Sequence, residues 1–203
     1  MIRLKAEDGL WQVTIDRPEK ANSLTRAMLA DIDAIAARAA DEGARVFVLR
    51  GEGKVFSAGA DLDEARAGLA TDGIWERLSA RIAALPCLTI AALNGTLAGG
   101  AMGMVLACDL RLAVPAAKFF YPVMKLGFLP QPSDPGRMSA LIGPARTKLI
   151  LMGGQKIEAP EALSWGLIDR IVPPEDMDTA IATIAADARA AAASHVAAMK
   201  AMI

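Results

Sequence analysis

The chain is poor in the residues that most often carry chemistry. Its 203 residues include one histidine, one tyrosine and two cysteines, and aromatic residues make up 4%. One histidine leaves too few ligands for a structural zinc site, and Cys87 and Cys108 lie far apart outside any Cys-x-x-Cys pair. This pattern predicts a reducing, cytoplasmic setting without a structural metal. Charge is equally scarce as a signal, since 22 basic and 23 acidic residues leave a net charge of −1 and no field to recruit nucleic acid. The N-terminal stretch is charged from Arg3 onward and builds no apolar signal-peptide core. One long uncharged window, Leu88 to Cys108, contains the Gly99/Gly103 spacing seen where membrane helices pair. Asn94, Gly95 and Thr96 near its middle, with Pro86 ahead of it, favour a strand, a turn and a buried helix over a membrane span.

What is present is an alternation of strand and helix patterns around two glycine-rich turns, Gly51–Leu62 and Asn94–Gly103. Ile2–Glu7 and Leu10–Ile15 alternate as two strands, and Asp8-Gly9 between them is a hairpin signal. Thr25 can cap a helix whose apolar positions Met28, Leu29, Ile32 and Ile35 recur at helical spacing. A strand at Val46–Leu49 enters the first turn, and a helix from about Asp72 to Leu85 follows it. Leu88–Leu93 then enters the second turn. Further strands are expected at Asp109–Val114, Lys118–Phe120 and Ile168–Val172. Helices are expected into Ile142, from Pro144 to Gly153, at Ala159–Trp165, and as one long alanine-rich helix from Asp176 to the C-terminus. The order describes a single α/β domain over residues 1–203.

Two loops that each leave a buried strand and enter a helix can aim one backbone N–H apiece at a single oxygen, which is an oxyanion hole. Such a pair suits a thioester, whose carbonyl becomes an enolate when the α-carbon loses a proton. A phosphate-loop reading of Gly51-Glu52-Gly53-Lys54 fails, because Val55 stands where that motif needs Ser or Thr.

Five segments in register resemble the enoyl-CoA hydratase/isomerase (crotonase) family: Asp16–Leu24, Gly51–Leu62, Asn94–Gly100, Cys108–Arg111, and Gly143 through Gly166–Val172. The resemblance implies a crotonase-like spiral of ββα units, assembled as a homo-oligomer, a trimer or dimer of trimers. It also implies an acyl-CoA substrate, with coenzyme A as part of the substrate and no tightly bound cofactor, in fatty acid metabolism. The oxyanion donors would be the N–H groups of Ala60 and Gly100. Lys20, Ala21, Leu24, Ala58, Asp61 and Leu62 would line the coenzyme A site. Family members run past Ile203 with C-terminal helices that cover the acyl pocket and build the trimer contact, so those helices are expected to be shortened or absent, with the pocket open or closed by a neighbouring subunit.

The departures bear on the reaction. Gly103 stands where the family's hydratases carry one catalytic glutamate, and Val123 follows Pro122 where they carry the other. A positioned acid or base contributes 10²–10⁴-fold, so the two-glutamate hydration route is lost. Gln131 aligns where some members place an aspartate; it can hydrogen-bond substrate but cannot act as a base. Two candidates remain for acid/base work. Asp134 is either a carboxylate for the pocket or the cap of a helix that Pro135 begins, and Tyr121 is either a pocket phenol or a buried core residue. His195 has no evident partner. Met102, Met104 and Met124 read as core filler that can also wall an acyl pocket. The sequence therefore points to an acyl-CoA enzyme working through an enolate, as a decarboxylase, lyase or isomerase in preference to a hydratase. The alternative is a catalytically impaired acyl-CoA-binding protein with a regulatory or assembly role.

Overall fold

The computed structural model describes residues 1–203. Strands β1 (Ile2–Glu7) and β2 (Leu10–Ile15) form the antiparallel hairpin, and Asp8 and Gly9 both take the left-handed backbone, φ 48° and 76°, that a two-residue hairpin turn demands. Helix α1 (Arg26–Asp41) is capped as its sequence predicts, with Thr25 Oγ1 accepting the Met28 N–H at 3.2 Å. Then follow β3 (Val46–Gly51), β4 (Val55–Ser57), α2 (Leu62–Arg66), α3 (Ile74–Ala83), β5 (Leu88–Leu93), β6 (Thr96–Ala98) and α4 (Ala101–Leu106). The remainder is β7 (Leu110–Ala113), β8 (Lys118–Phe120), α5 (Val123–Leu126), α6 (Asp134–Leu151), β9 (Ile157–Glu158), α7 (Ala159–Trp165), β10 (Arg170–Ile171), α8 (Met177–Ala190) and α9 (Ala193–Lys200).

The strands sort into two sheets. Six form one sheet in the order β1-β2-β3-β5-β7-β10, parallel from β2 onward, and four form the other in the order β4-β6-β8-β9. Each pass of the chain gives its first strand to the large sheet and its second to the small one: β3 then β4, β5 then β6, β7 then β8. A helix then returns the chain to the next pass. This is the crotonase-like spiral of ββα units, and it explains the uncharged window at Leu88–Cys108. The window is strand, short strand and a helix whose six residues are all buried. No helix is long and apolar enough to cross a membrane.

Three features depart from or refine the expected elements. Strands β4 and β6 lie inside the stretches read as turns. Three residues each are too few for a periodicity signal, and they form because they pair with each other, Val55 with Thr96 and Ser57 with Leu97. The C-terminal helix is not continuous, because Ala191 is extended (ψ 161°) and α9 folds back so that Lys200 Nζ reaches Cys87 O at 2.9 Å and Asp109 Oδ2 at 2.8 Å. Neither proline nor glycine marks that break. Helix α6 bends at Gly143, φ 79° and ψ 161°, so that Pro144 opens the second half as expected.

Buried Arg111 explains two of the sequence motifs in structural terms. Its guanidinium donates to Leu167 O at 3.0 Å and Cys108 O at 2.7 Å, and its backbone N–H donates to Asp169 Oδ2 at 2.7 Å. The Cys108–Arg111 and Gly166–Val172 segments are therefore the two halves of one clamp between β7 and β10.

The contact between the two sheets' turns makes a direct test. A Cβ at Gly95 would stand 1.9 Å from Lys54 O, whereas one at Gly136, in the exposed first part of α6, meets nothing within 4 Å. Gly95→Ala should lower the unfolding free energy by about 1–3 kcal/mol or more, and Gly136→Ala should raise it by about 0.5–1 kcal/mol. Urea unfolding of the two variants beside the parent chain measures both.

Candidate active site

Two amides, Asn22 buried and Asn94 half-buried, fix the turn that follows β3. Asn22 Nδ2 donates to Glu52 O at 2.9 Å and Val55 O at 2.6 Å, while its Oδ1 accepts the Arg17 N–H at 2.8 Å. From the other turn, Asn94 Oδ1 accepts the Gly51 N–H at 3.0 Å and its Nδ2 donates to Gly53 O at 2.8 Å. At the end of β4, Ser57 Oγ donates to Asn22 O at 2.8 Å and accepts the Gly59 N–H at 3.1 Å. Asn22, Ser57 and Asn94 are thus spent on holding one backbone path.

That path brings the two turns into contact through glycine. Gly59 and Gly99 have φ of 92° and 60°, and a Cβ on Gly59 would lie 3.0 Å from Ala98 O and 3.4 Å from Gly100 N. One residue beyond each, the N–H groups of Ala60 and Gly100 have no acceptor within the protein, although their neighbours do: Gly99 donates to Phe120 O at 3.2 Å and Asp61 to Leu24 O at 2.9 Å. Both residues line one pocket of about 160 Å³. Its walls are Trp75, Phe120, Tyr121, Leu126, Phe128 and Leu129 among others, with Gln131 at one side. Two free donors in an apolar, weakly screened pocket can hold one negatively charged oxygen.

Tyr121 is the only ionisable side chain in that lining. It is 3% exposed, and its hydroxyl donates to Asp134 Oδ2 at 2.9 Å. Tyr121 is thus a buried tyrosine with a satisfied hydroxyl, and it forms part of the pocket lining. Asp134 opens α6, but it does not cap it. No side-chain cap bond forms at that end, and the Asp134 carboxyl turns inward, wholly buried. Ser133 just before it binds Glu76 of α3 through its N–H, at 3.2 Å, and its hydroxyl. The capping expectation is overturned because α3 supplies a partner for the helix end and frees the aspartate.

The Asp134 carboxyl occupies the space beside Gly103. A Cβ at Gly103 would lie 2.7 Å from Asp134 Oδ1 and 3.2 Å from Oδ2. Oδ1 itself is buried and has no hydrogen-bond partner. Burial pushes the Asp134 carboxyl up to about 6, with Tyr121 and Arg137 opposing the rise and Glu76 adding to it. Burial also drives the Tyr121 phenol well above its ordinary value, and Asp134 beside it adds to that. The sequence names Gly103 as a missing carboxylate and Asp134 as a possible one. That the second fills the volume left by the first requires the packing of α4 against α6.

The residues expected to meet coenzyme A divide. Ala58 and Leu62 line the pocket, and Leu62 is 73% exposed at its edge. Exposed Lys20 and half-buried Ala21 sit on the adjoining turn, tied to it by the Ala58 N–H donating to Ala21 O at 3.0 Å. Leu24 does not belong with them. Its side chain is wholly buried, its N–H donates to Gly59 O at 2.8 Å, and its carbonyl accepts from Asp61, so it supports the turn from behind. Asp61 is committed too, to Arg17 at 2.8 Å and to the N–H groups of Asp63 and Glu64. The Arg17 hydrogen bond, outweighing desolvation, holds its carboxyl below the usual range. His195 is exposed on α9 and does not line the pocket. Cys87 and Cys108 are buried free thiols, both pushed up to about 12 by burial.

Known proteins place this architecture. A family model described as enoyl-CoA hydratase/isomerase matches residues 5–203. A Rhodobacter capsulatus protein named probable enoyl-CoA hydratase is 35% identical over 182 residues, which are 87% of this chain and 70% of that protein. The 4-chlorobenzoyl coenzyme A dehalogenase-2 of an Arthrobacter species is 31% identical over 200 residues, 94% of this chain and 72% of its own. Among solved structures, an enoyl-CoA hydratase from Bacillus anthracis aligns with a TM-score of 0.90 at 30% identity, covering 98% of this chain and 80% of that one. The chain belongs to the enoyl-CoA hydratase/isomerase family. It spans 66% to 76% of the length of the curated relatives it matches.

Asp134 gives the fold a measurable pH dependence. Its carboxyl titrates near the ordinary 3.8 in the unfolded chain and at about 6 in the folded one. Between those values the folded protein retains a proton that the unfolded chain has lost, so stability falls as pH rises through that window and this contribution is flat on either side. The fall is on the order of 3 kcal/mol. Asp134→Asn removes the titration, so the unfolding free energy of the variant relative to the parent should climb from pH 4 to pH 7 and then level, as read by denaturant unfolding at each pH.

Proposed function

We propose that the chain processes an acyl-CoA thioester through an enolate, with the N–H groups of Ala60 and Gly100 holding the thioester oxygen as charge develops on it. The observation that carries this reading is the pair of acceptor-free N–H groups on two touching turns in one apolar pocket. Ala58, Leu62, Lys20 and Ala21 lie along the edge from which a coenzyme A moiety would enter. The lining holds neither lysine nor arginine. An uncharged acyl group therefore suits the pocket better than one bearing a second carboxylate, and a proton shift at the α-carbon suits it better than decarboxylation. With Gly103 and Val123 in place of the two glutamates, hydration by that pair has no groups to run it.

A second reading rests on those same two positions: an acyl-CoA-binding protein whose turnover is lost, acting in regulation or assembly. Hydrogen–deuterium exchange at the α-carbon of acyl-CoAs in deuterated water separates the two, since the enzyme labels its ligand and the binder does not.

The role of Gly100 can be isolated from its packing. Its φ of −59° is one that proline adopts, so Gly100→Pro deletes the N–H with little demand on its own backbone angle. Any side chain there places a Cβ 3.3 Å from the Trp75 ring, so Gly100→Ala carries the same contact and keeps the N–H. Gly100→Pro should exchange about 100-fold or more slowly than Gly100→Ala, in line with loss of one oxyanion donor. Equal rates in two folded variants would remove Gly100 from the assignment.

A further inference from the structure

Loss of an α-proton needs an acceptor, and the pocket lining offers one ionisable group, Tyr121. A neutral phenol is a poor base, and burial holds this one in its neutral form. Behind it, Asp134 accepts the phenol hydrogen through Oδ2 at 2.9 Å. Its other oxygen is buried with no partner, in a volume that exists because residue 103 has no side chain. An aspartate left half satisfied in the core is costly, and a glycine inside a helix adds to the cost. The two coincide where a carboxylate reaches Tyr121.

We propose that Tyr121 and Asp134 form the proton relay of this pocket, Tyr121 as the catalytic residue that meets the substrate and Asp134 as the positioning residue that takes its proton. This rests on the thioester reading given above. The step balances without any co-reactant. The α-carbon C–H bond breaks and its electron pair passes into the thioester, becoming the enolate oxygen held by Ala60 and Gly100. The released proton bonds to the Tyr121 oxygen, and the proton already there moves to Asp134 Oδ2. The reverse transfer returns a proton, or a deuteron acquired from solvent, to the α-carbon. Gly103 is part of the device, because a side chain there and the Asp134 carboxyl cannot share the space. The charged groups around the relay are Glu76 from α3 and Arg137 from α6, while α4 presents none. The carboxylate form that the relay needs is present above about pH 6.

The test uses the full chain with butyryl-, octanoyl- and phenylacetyl-CoA, reading affinity by calorimetry and α-carbon exchange in deuterated water by mass spectrometry. Tyr121→Phe and Asp134→Asn should each bind within about threefold of the parent and exchange about 100-fold or more slowly, and the double variant should be no slower than either single one. The parent's exchange rate should rise through pH 6 to a plateau, a measurement that needs no variant to fold. Binding with exchange that survives either substitution, or that is flat from pH 5 to 8, overturns the relay and leaves the thioester reading standing. Binding with no exchange by the parent overturns the relay in favour of the non-catalytic binder. Failure of every acyl-CoA to bind overturns the thioester reading itself, and the relay with it.

Discussion

The structure depends on a close approach of backbone to backbone, where Gly59 lies against Gly99 and Gly100. A Cβ on Gly59 would stand 3.0 Å from Ala98 O, and both φ values at the contact, 92° and 60°, belong to the region that glycine enters freely. The approach is set by the pairing of β4 with β6, two strands too short to hold register by their own hydrogen bonds. Asn22 and Asn94 supply what the strands lack. Each amide reaches across to the Glu52–Val55 segment, and each would lose these hydrogen bonds if the turns slipped. The free N–H groups of Ala60 and Gly100 are then a consequence of geometry. They lie beside the contact of the two turns, where no acceptor of the protein reaches them.

The same logic separates residues that support the turns from residues that face the pocket. Leu24, Asp61, Arg17 and Ser57 all fall in stretches with the family pattern, and each is engaged inside the protein through its side chain or its backbone. Arg111 and Asp169 do likewise where β7 meets β10. Much of what makes this sequence resemble its relatives is therefore the scaffold of the turns, and the pocket's individual character lies elsewhere, in the apolar residues from Phe120 to Leu129 and in Gln131.

Legibility in the sequence followed the range of the interaction. Hairpin, caps and main strands announced themselves because a turn dipeptide, a threonine and an apolar run act locally: Asp8-Gly9, Thr25 and Val46–Leu49 needed no tertiary help. Strands β4 and β6 did not, because each is held by pairing with strands distant in sequence. The break at Ala191 was hidden for a similar reason: an alanine run has no local cause to stop being helical, and α9 is turned back by contacts such as that of Lys200 with residues some hundred positions earlier. At the site, the donor turns could be found from their glycines. The orientation of Asp134 could not, since Ser-Asp-Pro reads as a cap, and only Glu76 reaching over from α3 releases it.

Position 103 and position 134 should be considered as one volume. A helix whose other five residues are all apolar and buried would be steadier with alanine at Gly103, by roughly 1 kcal/mol from backbone entropy alone. A core position such as 134 would be steadier with a side chain that carries no charge to desolvate. Either improvement taken singly fails, because alanine at 103 collides with the aspartate, and removing the aspartate opens a void over the glycine and strands the Tyr121 hydroxyl. Both taken together would give a better-packed core without any ionisable group behind the pocket. The chain keeps instead two locally unfavourable choices that fit only each other, which is the pattern expected where chemistry rather than stability sets the residues.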